Sequence, residues 1–201
     1  MPRQTCPSCY FPSVACVCAQ VTRVNHRIEV VVLQHPAERR AAKNTARLLG
    51  LSLQRYRCYC GESAADFAEL QQELQQELQQ QPLSTESSAN QHLTTAVLYP
   101  SATAQATDTL AQTHAIKRLI LLDATWRKAY KMWQLNPWLQ QLPALTLAAD
   151  RTSDYPRKAA HAQQLSTLEA CAYALHDLEQ FAPEPLLALQ RQRMQALVKT
   201  E

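Results

Sequence analysis

Four cysteines near the start of the chain have the chemistry and the spacing of a metal site. They follow the pattern C-x2-C-x6-C-x-C and are Cys6, Cys9, Cys16 and Cys18. Four thiolates this close in sequence can surround one Zn²⁺ as a tetrahedron, and a C-x2-C pair is a common half of such a site. Disulfides are a weaker alternative because the sequence shows no sign of secretion and the cytosol keeps thiols reduced. We expect a structural zinc site, with an iron–sulfur cluster as the open alternative.

A second group with chemical potential is an acid that directly follows an apolar run. Residues 119–122 have the length and composition of a buried parallel strand, and Asp123 ends that strand. Helical spacing then begins, with Trp126, Tyr130 and Trp133 set between basic residues. Ligands bind in open α/β sheets where the carboxyl end of a strand enters a helix. Asp123 is therefore either a helix N-cap or a functional carboxylate at that edge.

Further strands must surround this central one if it is to be buried. Apolar segments predict strands at residues 27–34, 94–98 and 145–148, and the stretches between them have helical character. Since Gly50 and Gly61 are the only glycines, no glycine-rich phosphate loop can be written. The pattern predicts an α/β protein with a mostly parallel sheet flanked by helices.

Capping residues and periodicity place the helices. Gly50 is expected to end a helix that begins near residue 37. Ser166 or Thr167 can begin a long helix, with Glu169 completing a capping box. Other helices are expected from about Ser101 to His114, over the Gln-rich residues 69–81 and from Pro185 to Val198, with a loop at residues 82–91.

Charge is segregated along the 201 residues although the net charge is only +3. Residues 39–57 hold six basic side chains and no acid, whereas residues 62–86 hold six acids and no base. Such segregation suits a protein that turns one face toward a polyanion such as nucleic acid. Hydrophobic residues make up 46%, enough for a core, but no apolar run is long enough to span a membrane. We expect a soluble, cytoplasmic protein without a signal peptide.

Several short motifs resemble, in order, the signature of the DTW-domain family. They are H-P-x-E at 35–38, Tyr-Pro after the strand at 94–98, Asp-Ala-Thr-Trp at 123–126 and S-T-x-E-A at 166–170. The similarity extends from about Cys6 to Leu178. It implies transfer of the 3-amino-3-carboxypropyl group of S-adenosylmethionine to N3 of a uridine in tRNA, with release of 5′-methylthioadenosine. It also implies a SPOUT-like fold with a C-terminal knot and a cysteine-rich zinc segment.

The resemblance further implies that three loops surround S-adenosylmethionine. The residues implied to bind it are Leu98, Tyr99, Pro100, Leu122, Asp123, Thr125, Trp126, Leu165, Ser166, Thr167 and Glu169. Catalysis is assigned to Asp123, Thr125 and Trp126. Asp123 either accepts the uridine proton or holds the ammonium group of S-adenosylmethionine. Thr125 hydrogen-bonds S-adenosylmethionine or caps the helix, and Trp126 stacks on a base or belongs to the core. Basic residues expected to contact tRNA phosphates are Lys43, Arg47, Arg127, Lys128, Arg157 and Lys158.

Two other functions stay open from the sequence. One is an S-adenosylmethionine-dependent RNA methyltransferase, which would release S-adenosylhomocysteine instead. The other is a non-enzymatic, zinc-containing RNA-binding module in which Asp123 has no catalytic task.

The expected organisation is a cysteine segment at residues 1–25, followed by a catalytic domain at 26–201 with a Gln-rich helical insertion around 66–90.

Overall fold

The computed structural model shows an α/β fold built on a parallel sheet. It describes residues 4–41, 43–80, 94–109, 115–149, 151, 153 and 165–198. Over these residues the sheet has six strands in the order β2-β1-β5-β3-β6-β4, and all neighbouring strands are parallel. The strands are β1 Glu29–Gln34, β2 Tyr56–Cys60, β3 Thr94–Leu98, β4 Gln105–Ala106, β5 Ile116–Asp123 and β6 Ala144–Thr146. The helices are α1 Ala46–Ser52, α2 Ala68–Gln79, α3 Trp126–Leu135, α4 Thr167–Glu179 and α5 Glu184–Val198.

The apolar run that precedes Asp123 forms the central strand, as its composition predicts. Strand β5 lies between β1 and β3, and its residues Leu119, Ile120 and Leu121 are buried. A strand that is covered on both faces must be apolar at successive positions, which explains the unbroken run. The register aligns Gln34, at the end of β1, with Asp123, at the end of β5. Two polar side chains therefore meet at the carboxyl edge of the sheet.

Helices cover both faces of the sheet, and alternate strand residues contribute to two separate cores. On one face Val30, Val32 and Leu119 pack with α1, α4, α5 and the cysteine segment. On the other face Val31 and Ile120 pack with α2 and α3. This arrangement confirms the predicted α/β class with a parallel sheet and flanking helices. Among the described residues, no helix combines the length and the apolar character that crossing a bilayer requires.

The predicted bounds of the first helix, from about residue 37 to residue 49, are wrong. A short 3-10 turn covers Pro36–Glu38, and α1 begins only at Ala46. The side chain of Asn44 explains the break, because its Nδ2 donates to the carbonyl oxygens of Glu38 and Arg39 while its Oδ1 accepts from the amide of Arg47. Asparagine side chains that bond to nearby backbone in this way compete with helix formation.

Gly50 does not end this helix either, since it lies within α1. A Cβ atom built on Gly50 would lie 2.9 Å from Cε1 of Tyr56, which is closer than ordinary packing permits. The glycine therefore admits the Tyr56 ring, whose hydroxyl donates to the carbonyl oxygen of Ala46 at 3.0 Å.

Two further predicted boundaries also differ from the structure. Residues 105 and 106 form strand β4, so the helix expected from about Ser101 begins no earlier than residue 107, and residues 110–114 lie outside the described part. Strand β6 ends at Thr146 instead of residue 148. The predicted Gln-rich helix is present as α2. The predicted loop at 82–91 lies outside the described residues. Residues 154–164, which precede the loop that the predicted knot would involve, also lie outside them.

Candidate functional site

Asp123 is held at the carboxyl edge of the sheet by two other elements. Its Oδ2 accepts a hydrogen bond from Nε2 of Gln34 at 2.7 Å, and its Oδ1 accepts one from Oγ1 of Thr167 at 2.6 Å. The side chain is buried. The N-cap position of α3 is occupied by Thr125, whose side chain makes no capping hydrogen bond. The alternative in which Asp123 only caps the helix is therefore wrong, and Thr125 occupies the N-cap position without a capping hydrogen bond from its side chain.

A cavity of about 590 Å³ opens beside Asp123. It is formed by the chain segments that leave β1, β3, β5 and β6 at their carboxyl ends and by the start of α4. Ten of the eleven residues expected to bind S-adenosylmethionine line it, namely Leu98, Tyr99, Pro100, Leu122, Asp123, Thr125, Trp126, Leu165, Ser166 and Thr167. Its volume lies within the range of about 300–1,000 Å³ that is usual for small-molecule sites.

Glu169 does not line this cavity. Its carboxylate accepts hydrogen bonds from the backbone amide of Ser166 and from Oγ of Ser153, while the Ser166 hydroxyl accepts from the amide of Glu169. These bonds confirm the predicted capping box, with Ser166 as the N-cap of α4. The Glu169 carboxylate is buried and takes part in the capping box. Its role in the structure is therefore to stabilise the start of α4.

The cavity contains charged residues that the sequence motifs do not indicate as ligand-binding. Glu38 follows β1 and Arg151 follows β6, and both line the cavity. Lys43, which was expected at the RNA surface, also lines it. The Arg151 guanidinium donates to Oδ1 of Asp177 at 2.7 Å and lies 5.0 Å from the centroid of the Tyr173 ring. The lining thus combines two carboxylates with two cations, which suits a ligand that carries both signs of charge.

The aromatic residues of α3 have different roles. Trp133 is buried and stacks on Tyr99, with ring centroids 4.5 Å apart and planes inclined by 15°. Trp126 lines the cavity and leaves 49% of its surface exposed. A core role for Trp126 is therefore wrong, and its indole is accessible to a planar ligand.

The other basic residues expected to contact RNA lie in different environments. Arg127 is exposed, whereas Nζ of Lys128 lies 3.2 Å from Oε1 of Glu38. Arg47 donates to the carbonyl oxygens of Tyr10 and Arg39 and so connects the cysteine segment to the domain. Arg157 and Lys158 lie outside the described residues.

The four N-terminal cysteines meet at one point. The ligand atoms of Cys6, Cys9, Cys16 and Cys18 all lie within 4.8 Å of one another. The sulfur atoms are 3.5 Å apart for Cys6 and Cys16, and 3.7 Å apart for Cys6 and Cys18 and for Cys9 and Cys16. A tetrahedron with Zn–S bonds of about 2.3 Å has S–S edges of about 3.8 Å. All four cysteines are free thiols, so the disulfide alternative is not realised.

The electrostatics of this cluster favour a bound cation. Backbone amides of Cys9 and then Ser8 lower the pKa of Cys6 to about 6, which makes this thiol easy to ionise. The hydrogen bond with the Cys16 thiol, followed by desolvation, raises the pKa of Cys18 to about 12. Four thiolates at these distances repel one another, so a positive ion is needed to hold all of them ionised. The donor set fits Zn²⁺, and four sulfur ligands leave no open position.

Comparison with known proteins gives matches of two kinds. A family model described as the DTW domain matches residues 3–199. A protein from Drosophila melanogaster named tRNA-uridine aminocarboxypropyltransferase 2 is 29% identical over 185 residues, which cover 88% of this chain and 67% of that protein. No solved structure matches the chain.

Proposed function

The chain belongs to the DTW-domain family, and from that premise we propose that it transfers the 3-amino-3-carboxypropyl group of S-adenosylmethionine to N3 of a uridine in tRNA. The name of the Drosophila relative supports the proposed identity of the transferred group and of its acceptor. The observation that carries the proposal is the cavity at the carboxyl edge of the sheet, in which Asp123 is fixed by Gln34 and Thr167. The family relation extends the proposal to a SPOUT-like fold with a C-terminal knot, and a tRNA substrate is compatible with a cytoplasmic enzyme.

S-adenosylmethionine suits the lining of the cavity. Its amino-acid end carries an ammonium and a carboxylate, and the lining offers carboxylates at Glu38 and Asp123 and cations at Lys43 and Arg151. Apolar side chains from the segments after β3 and β6 supply a surface for the adenine ring. We propose that these groups select the substrate and orient its transferred chain toward the acceptor.

In the proposed reaction, uridine N3 attacks the γ-carbon of the aminocarboxypropyl chain. A bond forms between N3 and that carbon while the bond from carbon to the sulfonium sulfur breaks, and the electron pair returns to sulfur. The product on RNA is the alkylated uridine, and the leaving group is 5′-methylthioadenosine. Attack on one particular carbon of the sulfonium depends on orientation, which is the contribution that a preformed site supplies.

The proton on N3 must leave for the nitrogen to become a good nucleophile. We assign its removal to the carboxylate of Asp123, which the hydrogen bonds from Gln34 and Thr167 hold in one orientation. The competing assignment keeps Asp123 as the partner of the substrate ammonium. We assign the exposed indole of Trp126 to stacking on the target base, which has to be unpaired before N3 is accessible.

Mass spectrometry of one reaction tests the proposal. Purified protein is incubated with S-adenosylmethionine and unmodified tRNA transcripts, and both the nucleosides and the small-molecule product are identified. Aminocarboxypropyl-uridine together with 5′-methylthioadenosine is the expected result. Methylated RNA with S-adenosylhomocysteine would establish a methyltransferase instead. Tight tRNA binding without any turnover would establish the RNA-binding module.

A further inference from the structure

A second hollow lies next to the cavity, on the other side of Thr125. It has a volume of about 570 Å³ and is lined by His35, Glu62, Thr125, Arg127, Lys128, Tyr130 and Lys131. Thr125 belongs to both linings, so the two spaces adjoin. The ion pair of Lys128 and Glu38 joins a side chain of the second lining to a side chain of the first. The proposed transfer chemistry assigns no task to this second hollow.

Two exposed aromatic rings mark this surface. Trp126 and Tyr130 are four residues apart on α3 and therefore lie on the same side of the helix. Their exposed fractions are 49% and 60%, although rings of this size are usually much more buried. Trp126 lines the first cavity and Tyr130 lines the second hollow, so the pair extends across the boundary between the two. Neighbouring exposed rings form a platform on which successive bases can stack.

The charge around these rings is predominantly positive. Arg127 is exposed and, within the described part of the chain, forms no ion pair. Nζ of Lys131 lies 3.0 Å from Oε1 of Glu62, but this lysine is 61% exposed, so the pair is weak and the ammonium can turn to another anion. Three cations line the hollow, and they face two carboxylates: that of Glu62 in the same lining and that of Glu38, which pairs with Lys128. The combination of cations and stacking surface suits a single strand of nucleic acid more than a protein or a lipid.

We propose that the α3 surface, which comprises Trp126, Arg127, Tyr130 and Lys131, binds the nucleotides that flank the target uridine in an unpaired stretch of tRNA. Tyr130 stacks on a neighbouring base, while Arg127 and Lys131 contact phosphates. The target base itself enters the first cavity past Trp126. This inference rests on the proposed function and adds the path of the RNA strand next to the reacting base.

The test measures the affinity of the full-length protein for unmodified tRNA transcripts at several salt concentrations. Tyr130→Ala removes the stacking ring, Tyr130→Phe keeps it, and Arg127→Ala removes a cation. Leu135→Ala is the matched control, because Leu135 is exposed on the same helix and lines neither space. The affinity for S-adenosylmethionine is measured for each variant by calorimetry.

Tyr130→Ala is expected to weaken tRNA binding by roughly 5- to 150-fold, which corresponds to the loss of one base–aromatic stack. The slope of log affinity against log salt should not change, because no phosphate contact is lost. Arg127→Ala should reduce that slope by about 0.7 to 0.9, as expected for one phosphate contact. Tyr130→Phe and Leu135→Ala should bind tRNA as the wild-type protein does, and all variants should bind S-adenosylmethionine normally.

Other results would overturn the inference in distinguishable ways. If the wild-type protein modifies tRNA and Tyr130→Ala binds tRNA with unchanged affinity, the RNA path lies elsewhere while the proposed function stands. If tRNA affinity is unchanged in Tyr130→Ala and light scattering shows a dimer for the wild-type protein but a monomer for this variant, the surface joins two copies of the chain. If the wild-type protein neither binds nor modifies tRNA, the inference fails together with the proposed function.

Discussion

The orientation of Asp123 depends on residues that are distant along the chain. Gln34 precedes it by 89 positions and Thr167 follows it by 44, yet each donates a hydrogen bond to one of its two oxygens. Gln34 is itself buried, and its Nε2 also lies 3.4 Å from Oδ1 of Asn44. Hydrogen bonds to an ionised carboxylate are stronger than those between neutral groups. The side chain is thus fixed before a substrate arrives, and such preorganisation is what a catalytic carboxylate requires.

Asp123→Asn is predicted to lower the rate of transfer by about 10²- to 10⁴-fold, the usual contribution of a general base. An amide has the shape of the carboxylate but cannot accept the N3 proton. Calorimetric titration with S-adenosylmethionine should show nearly unchanged affinity, and circular dichroism should show an intact fold. A large loss of S-adenosylmethionine affinity would instead assign Asp123 to the substrate ammonium.

Thr167→Val is predicted to lower kcat by roughly 10- to 100-fold, because it deletes a hydrogen bond to a charged group worth about 1.5–3 kcal/mol. The start of α4 should be unaffected, since the capping hydroxyl belongs to Ser166. Thr167→Ser retains the hydroxyl and is the matched control, with activity close to wild type. Steady-state kinetics on tRNA would contradict this positioning role if Thr167→Val were fully active.

Site residues could be predicted from sequence only where the information is local. The capping box joins Ser166 and Glu169, which are three positions apart, so its pattern is visible in the sequence and is confirmed. Asp123 is visible because it ends an apolar run. Gln34 and Arg151 could not be found in this way, because their positions at the site follow from strand order and register. The signal that the sequence does offer is that each of them ends or follows a strand, at the edge where ligands bind.

An ion network fastens α2 to the sheet at the edge opposite the site. Arg118 of β5 is only 3% exposed and contacts Glu29 of β1 at 2.5 Å, Glu73 of α2 at 2.6 Å and Glu77 of α2 at 3.1 Å. Arg57 of β2 adds a contact to Glu73 at 2.6 Å. The acids of the Gln-rich helix therefore have basic partners on two strands, β2 and β5, which explains why a low-complexity sequence forms a defined helix here.

Arg118→Met is predicted to lower the free energy of unfolding by roughly 2–4 kcal/mol. Removing one partner of a buried ion pair typically costs about 3–5 kcal/mol, and the partial exposure of the glutamates reduces this figure. Lys117→Met is the matched control: Lys117 is more exposed and contacts only the rim of the network, so its loss should cost less than about 1 kcal/mol. Urea denaturation measures both variants, and equal effects would show that the network is not cooperative.

The same network predicts destabilisation in acid. The hydrogen bond from Arg57, with a further contribution from Arg118, lowers the pKa of Glu73 below its ordinary value of 4.5. A carboxylate whose pKa is lower in the folded state stabilises the fold above its ordinary pKa, and this contribution disappears as the pH falls through the lowered value. Melting temperatures should therefore decrease below about pH 4.5. They should decrease less steeply in Arg118→Met, and parallel curves for the two proteins would contradict this prediction.

The central strands are easier to predict than helix boundaries or than the two edge strands β2 and β4, which the apolar pattern does not predict, and the difference has a physical cause. A buried parallel strand needs an apolar residue at nearly every position, so β1, β3 and β5 are visible as runs. Residues 37–49 contain good helix formers, but the side chain of Asn44 bonds the local backbone and stops a helix there. Such competition depends on one side-chain orientation, which composition does not reveal.

The cysteine segment is built into the main core of the protein. Phe11 is 1% exposed and is contacted by two guanidinium groups, that of Arg47 at 4.8 Å and that of Arg193 at 3.9 Å from the ring centroid. Cys9 and Val17 are buried in the same cluster as residues of β1 and β5. Because these contacts connect the segment to α1 and α5, its folding is coupled to that of the sheet.

Removal of a zinc ion bound by the four cysteines is therefore predicted to destabilise the entire domain and not only the N-terminal segment. At a thousandfold excess of metal over its dissociation constant, binding stabilises the native state by about 4 kcal/mol. For a domain of this size that corresponds to a melting temperature lower by roughly 8–16 °C in the metal-free protein. Elemental analysis of the purified protein should find one zinc per chain, and an absorbing iron–sulfur chromophore would instead identify the alternative cluster.

Cys9→Ser tests this coupling without a chelator. The variant should lose most of its zinc, melt at a lower temperature and still unfold in one transition, because the segment shares its core with β1 and β5. Cys60→Ser is the matched control, because Cys60 is an exposed thiol on β2 outside the cluster of four cysteines. The zinc content and the melting temperature of this variant should equal those of the wild-type protein. Two separate transitions in Cys9→Ser, with the later one at the wild-type temperature, would show that the segment folds independently of the sheet. In that case the contacts of Arg47 and Arg193 with Phe11 would hold the segment against the domain, but the stability of the sheet would not depend on the folding of the segment.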